Sequence, residues 1–158
     1  INKAINYNLK NLIDEDCQII WQTGSRDFKN HKDLNYKHCS VYEFIDRMDL
    51  AYAAADLVIS RAGAIAIAEI SMLSKASILI PSPYVAENHQ TINAMYLKEN
   101  DACELITEQQ LMSKEFVTKI LSFKSHKLRE KIGKNAHNLF KYDAANNISK
   151  LILEDCVC

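Results

Sequence analysis

The sequence predicts an α/β fold in which a parallel sheet is covered by helices on both faces. Two observations carry this. Strand-sized apolar runs alternate along the chain with segments whose apolar residues recur at helical spacing. The runs are apolar nearly throughout, as in strands buried from both sides. A third observation sets the scale: 158 residues fit one domain with enough length to bury a substantial core.

Residues 1–13 open the chain with Ile1, Ala4, Ile5, Leu9 and Leu12, a helical stripe. Residues 17–22 (CQIIWQ) follow as a buried strand, ended by Thr23-Gly24-Ser25. Residues 37–44 form a second strand, more polar and nearer an edge. Residues 48–55 read as a helix and residues 57–60 (LVIS) as a short buried strand. Helical spacing returns over 65–73, and residues 76–80 (ASILI) are a strand stopped by Pro81-Ser82-Pro83. A helix over 88–99 and a last strand over 102–106 complete the alternation. Thr107-Glu108-Gln109-Gln110 then has the form of a capping box. The stretch 114–154 is predicted helical throughout, with Asp143 as N-cap of the last helix. The chain opens inside a helix with no strand ahead of it to begin a β–α unit. It is therefore expected to be cut from a longer protein.

Composition narrows the function. Apolar residues make up 48% and charged residues 25%, ordinary values for a soluble domain. A net charge of −1 gives no electrostatic case for nucleic acid or an anionic membrane. Lys124, Lys127, Arg129, Lys131 and Lys134 fall along one helical stretch, which reads as a solvated face. The five cysteines, Cys17, Cys39, Cys103, Cys156 and Cys158, are odd in number and form no CxxC pair. That argues against a disulfide framework or a zinc site and suits a reducing cytosol. No apolar run is long enough to span a bilayer.

Parallel sheets bind ligands outside the carboxyl ends of their strands, in loops that lead into helices. Ser60-Arg61-Ala62-Gly63-Ala64 occupies such a junction. Gly63 can adopt backbone conformations closed to other residues and lets a ligand come close to the backbone. The N–H groups of Ala64, Ile65 and Ala66 are expected to lack intrahelical partners. With the helix dipole they form a phosphate site, although every β–α junction shares these features. Glu69 lies in the early turns of the same helix. Its two acceptor oxygens suit both hydroxyls of a ribose, or it simply favours the helix dipole. The next crossing supplies Pro81-Ser82-Pro83-Tyr84 and then Glu87-Asn88-His89-Gln90. Gln90 offers a donor and an acceptor matched to adjacent sugar hydroxyls, and His89 can orient a phosphate. No nucleophile–base pair and no metal cluster is visible, so no cofactor or metal is expected.

Taken together these pieces resemble the MurG family of N-acetylglucosaminyltransferases. The matching residues are Glu43-Phe44-Ile45-Asp46, Met48 and the run from Ala54 to Ala64, followed by Glu69, Pro81, Asn88-His89-Gln90 and Asn93-Ala94. Ile20-Trp21-Gln22-Thr23-Gly24 matches a family strand upstream, so the resemblance covers nearly the whole chain. It implies the GT-B architecture, two Rossmann-like domains with the active site between them, and identifies residues 1–158 as the C-terminal, donor-binding domain. By the same resemblance the Ile45 backbone reads the uracil edge, and Ala64–Ala66 line the diphosphate and sugar. Glu69 then holds the ribose and Gln90 the N-acetylglucosamine hydroxyls. The implied donor is UDP-N-acetylglucosamine. The implied acceptor is a lipid-linked muramyl-pentapeptide, bound by an N-terminal domain that this chain lacks, along with the family's Gly-Gly-Ser phosphate loop. The parent enzyme is then an inverting hexosyltransferase of peptidoglycan synthesis, cytoplasmic and peripheral on the inner membrane. One departure stands out: Ala66 replaces the Ser or Thr common in the family, which removes a hydroxyl contact. The alternatives left open are another GT-B transferase half and a non-catalytic nucleotide-binding module.

Overall fold

The computed structural model describes residues 1–34, 36–83, 88–140 and 143–155. Tyr84, Glu87, Cys156 and Cys158, named above, lie outside the described residues. The elements run α1 (Asn2–Asp14), β1 (Ile19–Gln22), α2 (Ser25–Phe28), β2 (Cys39–Tyr42), α3 (Met48–Ala54), β3 (Leu57–Ser60), α4 (Ala64–Met72), β4 (Ala76–Leu79) and α5 (His89–Glu99). After them come β5 (Glu104–Leu105), a 3₁₀ turn (Glu108–Met112), α6 (Lys114–Ser122), α7 (His126–Leu139) and α8 (Ala144–Asp155). The predicted α/β alternation is present, and every strand pairing is parallel.

The strands divide between two sheets, β1–β2 and β3–β4–β5, where a single sheet was expected. Among the described residues no backbone ladder joins β1 to β3, so each pairs along one edge only. Their side chains nevertheless share a core. Trp21 of β1 belongs to the same buried cluster as Ile78 of β4 and Ile80, with Val41, Leu57 and Ile59 packed against it.

β4 shows why helices cover both faces. It is buried at every position, and successive side chains of a strand point to opposite sides. Ala76, Ile78 and Ile80 enter the cluster that holds Ala4, Ile5 and Leu12 of α1 and Phe116 and Ile120 of α6. Leu79 enters the other, with Tyr52 of α3, Ile70 of α4, and Ala94 and Leu97 of α5. Full burial of each such aliphatic side chain contributes about 1.5–3 kcal/mol. A polar residue at Ile78 or Leu79 would forfeit that contribution and add the cost of burying a polar group. α7 packs against α4 and β4. A Cβ at Gly133 would collide with the Ser74 carbonyl oxygen, so glycine there permits the close approach of α7 to the turn before β4.

The long helical stretch expected over 114–154 is three helices. Ser125 ends one register and caps the next, accepting a hydrogen bond from the Leu128 N–H at 3.3 Å. Asp143 stands before α8 as expected, but with φ +63° instead of the extended backbone of an ordinary N-cap. Its carboxylate accepts from the Asn146 side chain at 3.3 Å, and its carbonyl from the Asn147 N–H at 2.9 Å. The capping box at Thr107 is formed, with the Gln110 side chain accepting from both the Thr107 N–H and its hydroxyl at 2.9 Å. The basic residues do not make one continuous patch. Lys124 pairs with Glu15 at 2.9 Å, Lys131 with Asp101 at 2.8 Å, and Arg129 with Asp56 at 3.4 Å. No helix among the described residues is long and apolar enough to cross a membrane.

Candidate functional site

The site predicted from sequence lies at the carboxyl ends of the strands, and α4 is its centre. β3 ends at Ser60, three residues bend away, and α4 begins at Ala64. The first intrahelical acceptor is the Gly63 carbonyl, which takes the Ile67 N–H at 3.0 Å. The N–H groups of Ala64, Ile65 and Ala66 precede that bond, and no side chain caps this helix. No acidic residue occupies its first turn either, so nothing within that turn compensates the positive end of the dipole. Ile65 is 78% exposed, which leaves the turn open to solvent.

Of the two roles read for Gly63 from the sequence, the special backbone conformation is not used and the room for close approach is present. Its backbone is extended, φ −71° and ψ 146°, so no left-handed conformation is needed. A Cβ built there meets nothing within 4 Å. The glycine is therefore not required by backbone strain. What it contributes is empty space beside the helix amides and the absence of a capping oxygen.

Side chains from neighbouring elements hold this junction in place. Arg61 donates to the carbonyls of Ile80 at 3.2 Å and Pro81 at 3.4 Å and pairs with Glu108. One guanidinium thus ties together the carboxyl end of β3, the end of β4 and the turn after β5. Asn93 of α5 donates to the Ala62 carbonyl at 3.4 Å. Gln90, in the first turn of α5, accepts from the Ser82 N–H at 2.9 Å. That bond fixes which end of the amide is which, because an N–H donor needs the oxygen. The acceptor half of Gln90 is committed to the loop, and its NH₂ is the half left to address a ligand. His89 is exposed beside it.

Glu69 is half-buried on α4 and accepts a hydrogen bond from the Tyr52 hydroxyl of α3 at 3.0 Å. Burial first, and then the hydrogen bond to Glu69 and its charge, push the Tyr52 phenol up to about 12. Tyr52 is therefore a fixed donor near neutral pH. A largely apolar hollow of about 520 Å³ runs along α4 from its first residue, lined by Ala64, Ile67, Ala68, Ile92, Asn93 and Tyr96 among others. Glu69 does not line it.

Ile45 lies beside the other sheet, in the loop after β2. Its N–H donates to the Gln22 side chain, at the end of β1, at 2.9 Å. The Thr23 N–H reaches the Tyr42 carbonyl at 2.9 Å, and the Gly24 N–H the Glu43 carbonyl at 3.1 Å. Gly24 has φ +77°, so here a glycine does meet a left-handed requirement. Ile45 thus stands at the carboxyl edge of β1–β2, with its amide already engaged by Gln22.

Sequence reasoning missed the supporting roles of Tyr52, Gln22 and Arg61. Tyr52 carried a readable signal, as the only aromatic side chain in an alanine-rich helix, MDLAYAA. Among the described residues no group of three His, Cys, Asp or Glu side chains is placed to hold a metal ion.

Comparison with known proteins converges on one family. Residues 1–148 match the family described as Glycosyltransferase family 28 C-terminal domain. The chain is 40% identical, over 99% of its length, to the UDP-N-acetylglucosamine–N-acetylmuramyl-(pentapeptide) pyrophosphoryl-undecaprenol N-acetylglucosamine transferase of Flavobacterium psychrophilum. The protein of the same name from Cytophaga hutchinsonii is 37% identical over 98% of the chain. In both cases the match covers 42% of the relative, so the chain spans less than half the length of these curated proteins. The crystal structure of Acinetobacter baumannii MurG superposes with a TM-score of 0.80 at 25% identity, covering 96% of this chain and 46% of that one. The chain belongs to the MurG family, as its glycosyltransferase family 28 C-terminal domain.

Proposed function

We propose that this chain binds the donor UDP-N-acetylglucosamine for transfer of N-acetylglucosamine to a lipid-linked muramyl-pentapeptide. The observation that carries the reading is the uncapped N-terminus of α4 with Glu69 on the same helix. The Ala64, Ile65 and Ala66 amides and the helix dipole favour a diphosphate at this edge. As the glycosidic bond to UDP breaks, negative charge builds on the departing phosphate, and these donors stabilise it without reorganising. Glu69 accepts from the ribose hydroxyls. The Gln90 NH₂, left over when the Ser82 N–H engages the amide oxygen, donates to a sugar hydroxyl. The Ile45 backbone reads the uracil edge after its amide leaves Gln22. Transfer with inversion also needs a base for the acceptor hydroxyl. We assign that base and the lipid-linked acceptor to the part of the longer relatives that this chain does not match. On this reading the parent enzyme works at the cytoplasmic face of the membrane without a spanning segment here.

Calorimetric titration tests the reading. UDP-N-acetylglucosamine is expected to bind more tightly than UDP-glucose, and UDP far more tightly than uridine. Equal affinity for the two sugars would point to another sugar donor. Indifference to the diphosphate would overturn the assignment of α4.

A further inference from the structure

We propose that Tyr52 is a positioning residue for donor recognition, its hydroxyl holding the Glu69 carboxylate in the orientation that accepts from the ribose diol. The inference rests on the ribose-binding reading of Glu69 given above. Glutamate on a helix surface samples several rotamers, and a carboxylate that wanders must be ordered each time a ligand binds. Here one oxygen is fixed. The Tyr52 hydroxyl donates to Glu69 Oε2 at 3.0 Å, while Oε1 accepts from no other described residue. The two residues are 17 apart in sequence and on different helices, so the bond is tertiary and not a by-product of helix geometry.

The tyrosine is itself well anchored. It is 7% exposed and sits in the core cluster with Ala62, Ile70 and Leu79, so its ring cannot follow a moving carboxylate. Ala62 precedes the Gly63 turn, which places the anchor of Glu69 in the same packed layer as the root of the α4 amides. The direction of the hydrogen bond is unambiguous near neutral pH. An ionised carboxylate only accepts, and a phenol held near 12 remains protonated. Tyr52 thus consumes one lone pair of Glu69 and presents the remainder in a fixed plane, as a second layer of support does in preorganised sites. The competing possibility is that the pair only ties α3 to α4. That would affect stability without affecting which ribose is bound.

The test measures affinity for UDP and for 2′-deoxy-UDP on the wild-type chain, Tyr52→Phe, Glu69→Ala and the double variant. Phenylalanine keeps the buried ring, and a thermal melt on each protein checks that folding is retained. The wild type is expected to prefer UDP, and Tyr52→Phe should reduce that preference by roughly three- to ten-fold. In the Glu69→Ala background, Tyr52→Phe should change the preference no further. If Glu69→Ala loses the preference and Tyr52→Phe keeps it in full, Tyr52 only ties the helices and the inference fails alone. If Glu69→Ala keeps the preference, the ribose reading of Glu69 fails, and the role of Tyr52 fails with it.

Discussion

Two helices that pack against each other, α4 and α7, begin in opposite ways. α7 starts at Ser125, whose hydroxyl accepts from the Leu128 N–H and satisfies one orphan donor from within the chain. α4 starts at Gly63, which has no side chain with which to do so. The location differs as well. The first turns of α7 lie near the amino ends of β3 and β4, where Arg129 reaches Asp56, the residue before β3. α4 springs from the carboxyl end of β3. The backbone physics of the two ends is the same, and each would gain from a capping oxygen. Of these two helices, the one at the amino edge of the sheet is capped by a side chain, and the one at the carboxyl edge, where parallel sheets bind ligands, is not. What α4 lacks in its own structure is what a bound diphosphate would provide.

Exchanging the two ends sharpens the contrast. Gly63→Asp should have the largest effect on binding. Open space and an ordinary φ accommodate the side chain, so the fold should tolerate it and gain a few tenths of a kcal/mol from the new cap. The new carboxylate would occupy the amides and repel phosphate, weakening UDP binding by about ten- to hundred-fold. Titration beside thermal unfolding reads both effects. Lost stability with unchanged affinity would place the diphosphate elsewhere. Ser125→Ala should have the smaller and opposite outcome. It removes a real cap, costs about 1 kcal/mol of unfolding free energy in denaturant titration, and leaves UDP affinity unchanged.

The same contrast explains what the sequence revealed. The β3–α4–β4 unit was legible almost residue for residue, because LVIS and ASILI are short apolar runs, half-buried in β3 and buried in β4, and the turn into α4 is marked by glycine. Residues 114–154 were legible as helical, with one of their two breaks marked. The break at Ser125 uses a capping residue equally at home on a helix surface. The break before α8 was read from Asp143 as an N-cap, and only its left-handed backbone was not. The division into two sheets was not readable either, since apolar runs specify burial and not which edge pairs with which. At the site, sequence reasoning named the residues proposed to face a ligand: Ala64–Ala66, Glu69, Gln90 and Ile45. It did not find those that hold them, because Tyr52→Glu69, Gln22 with Ile45, and Arg61 across the strand ends are all tertiary contacts. It also gave Gly63 a backbone role that the extended φ contradicts.

The most direct test of the α4 site is an NMR titration of the isotopically labelled chain with UDP, following backbone amides. The Ala64, Ile65 and Ala66 amides should shift most, downfield as expected for N–H groups that gain a phosphate acceptor. The Leu128 amide, already bonded to Ser125, serves as the internal reference and should not move. Saturable shifts confined to the α4 amides and their surroundings would place the diphosphate at that helix end. Saturable binding that leaves Ala64–Ala66 unmoved would contradict it.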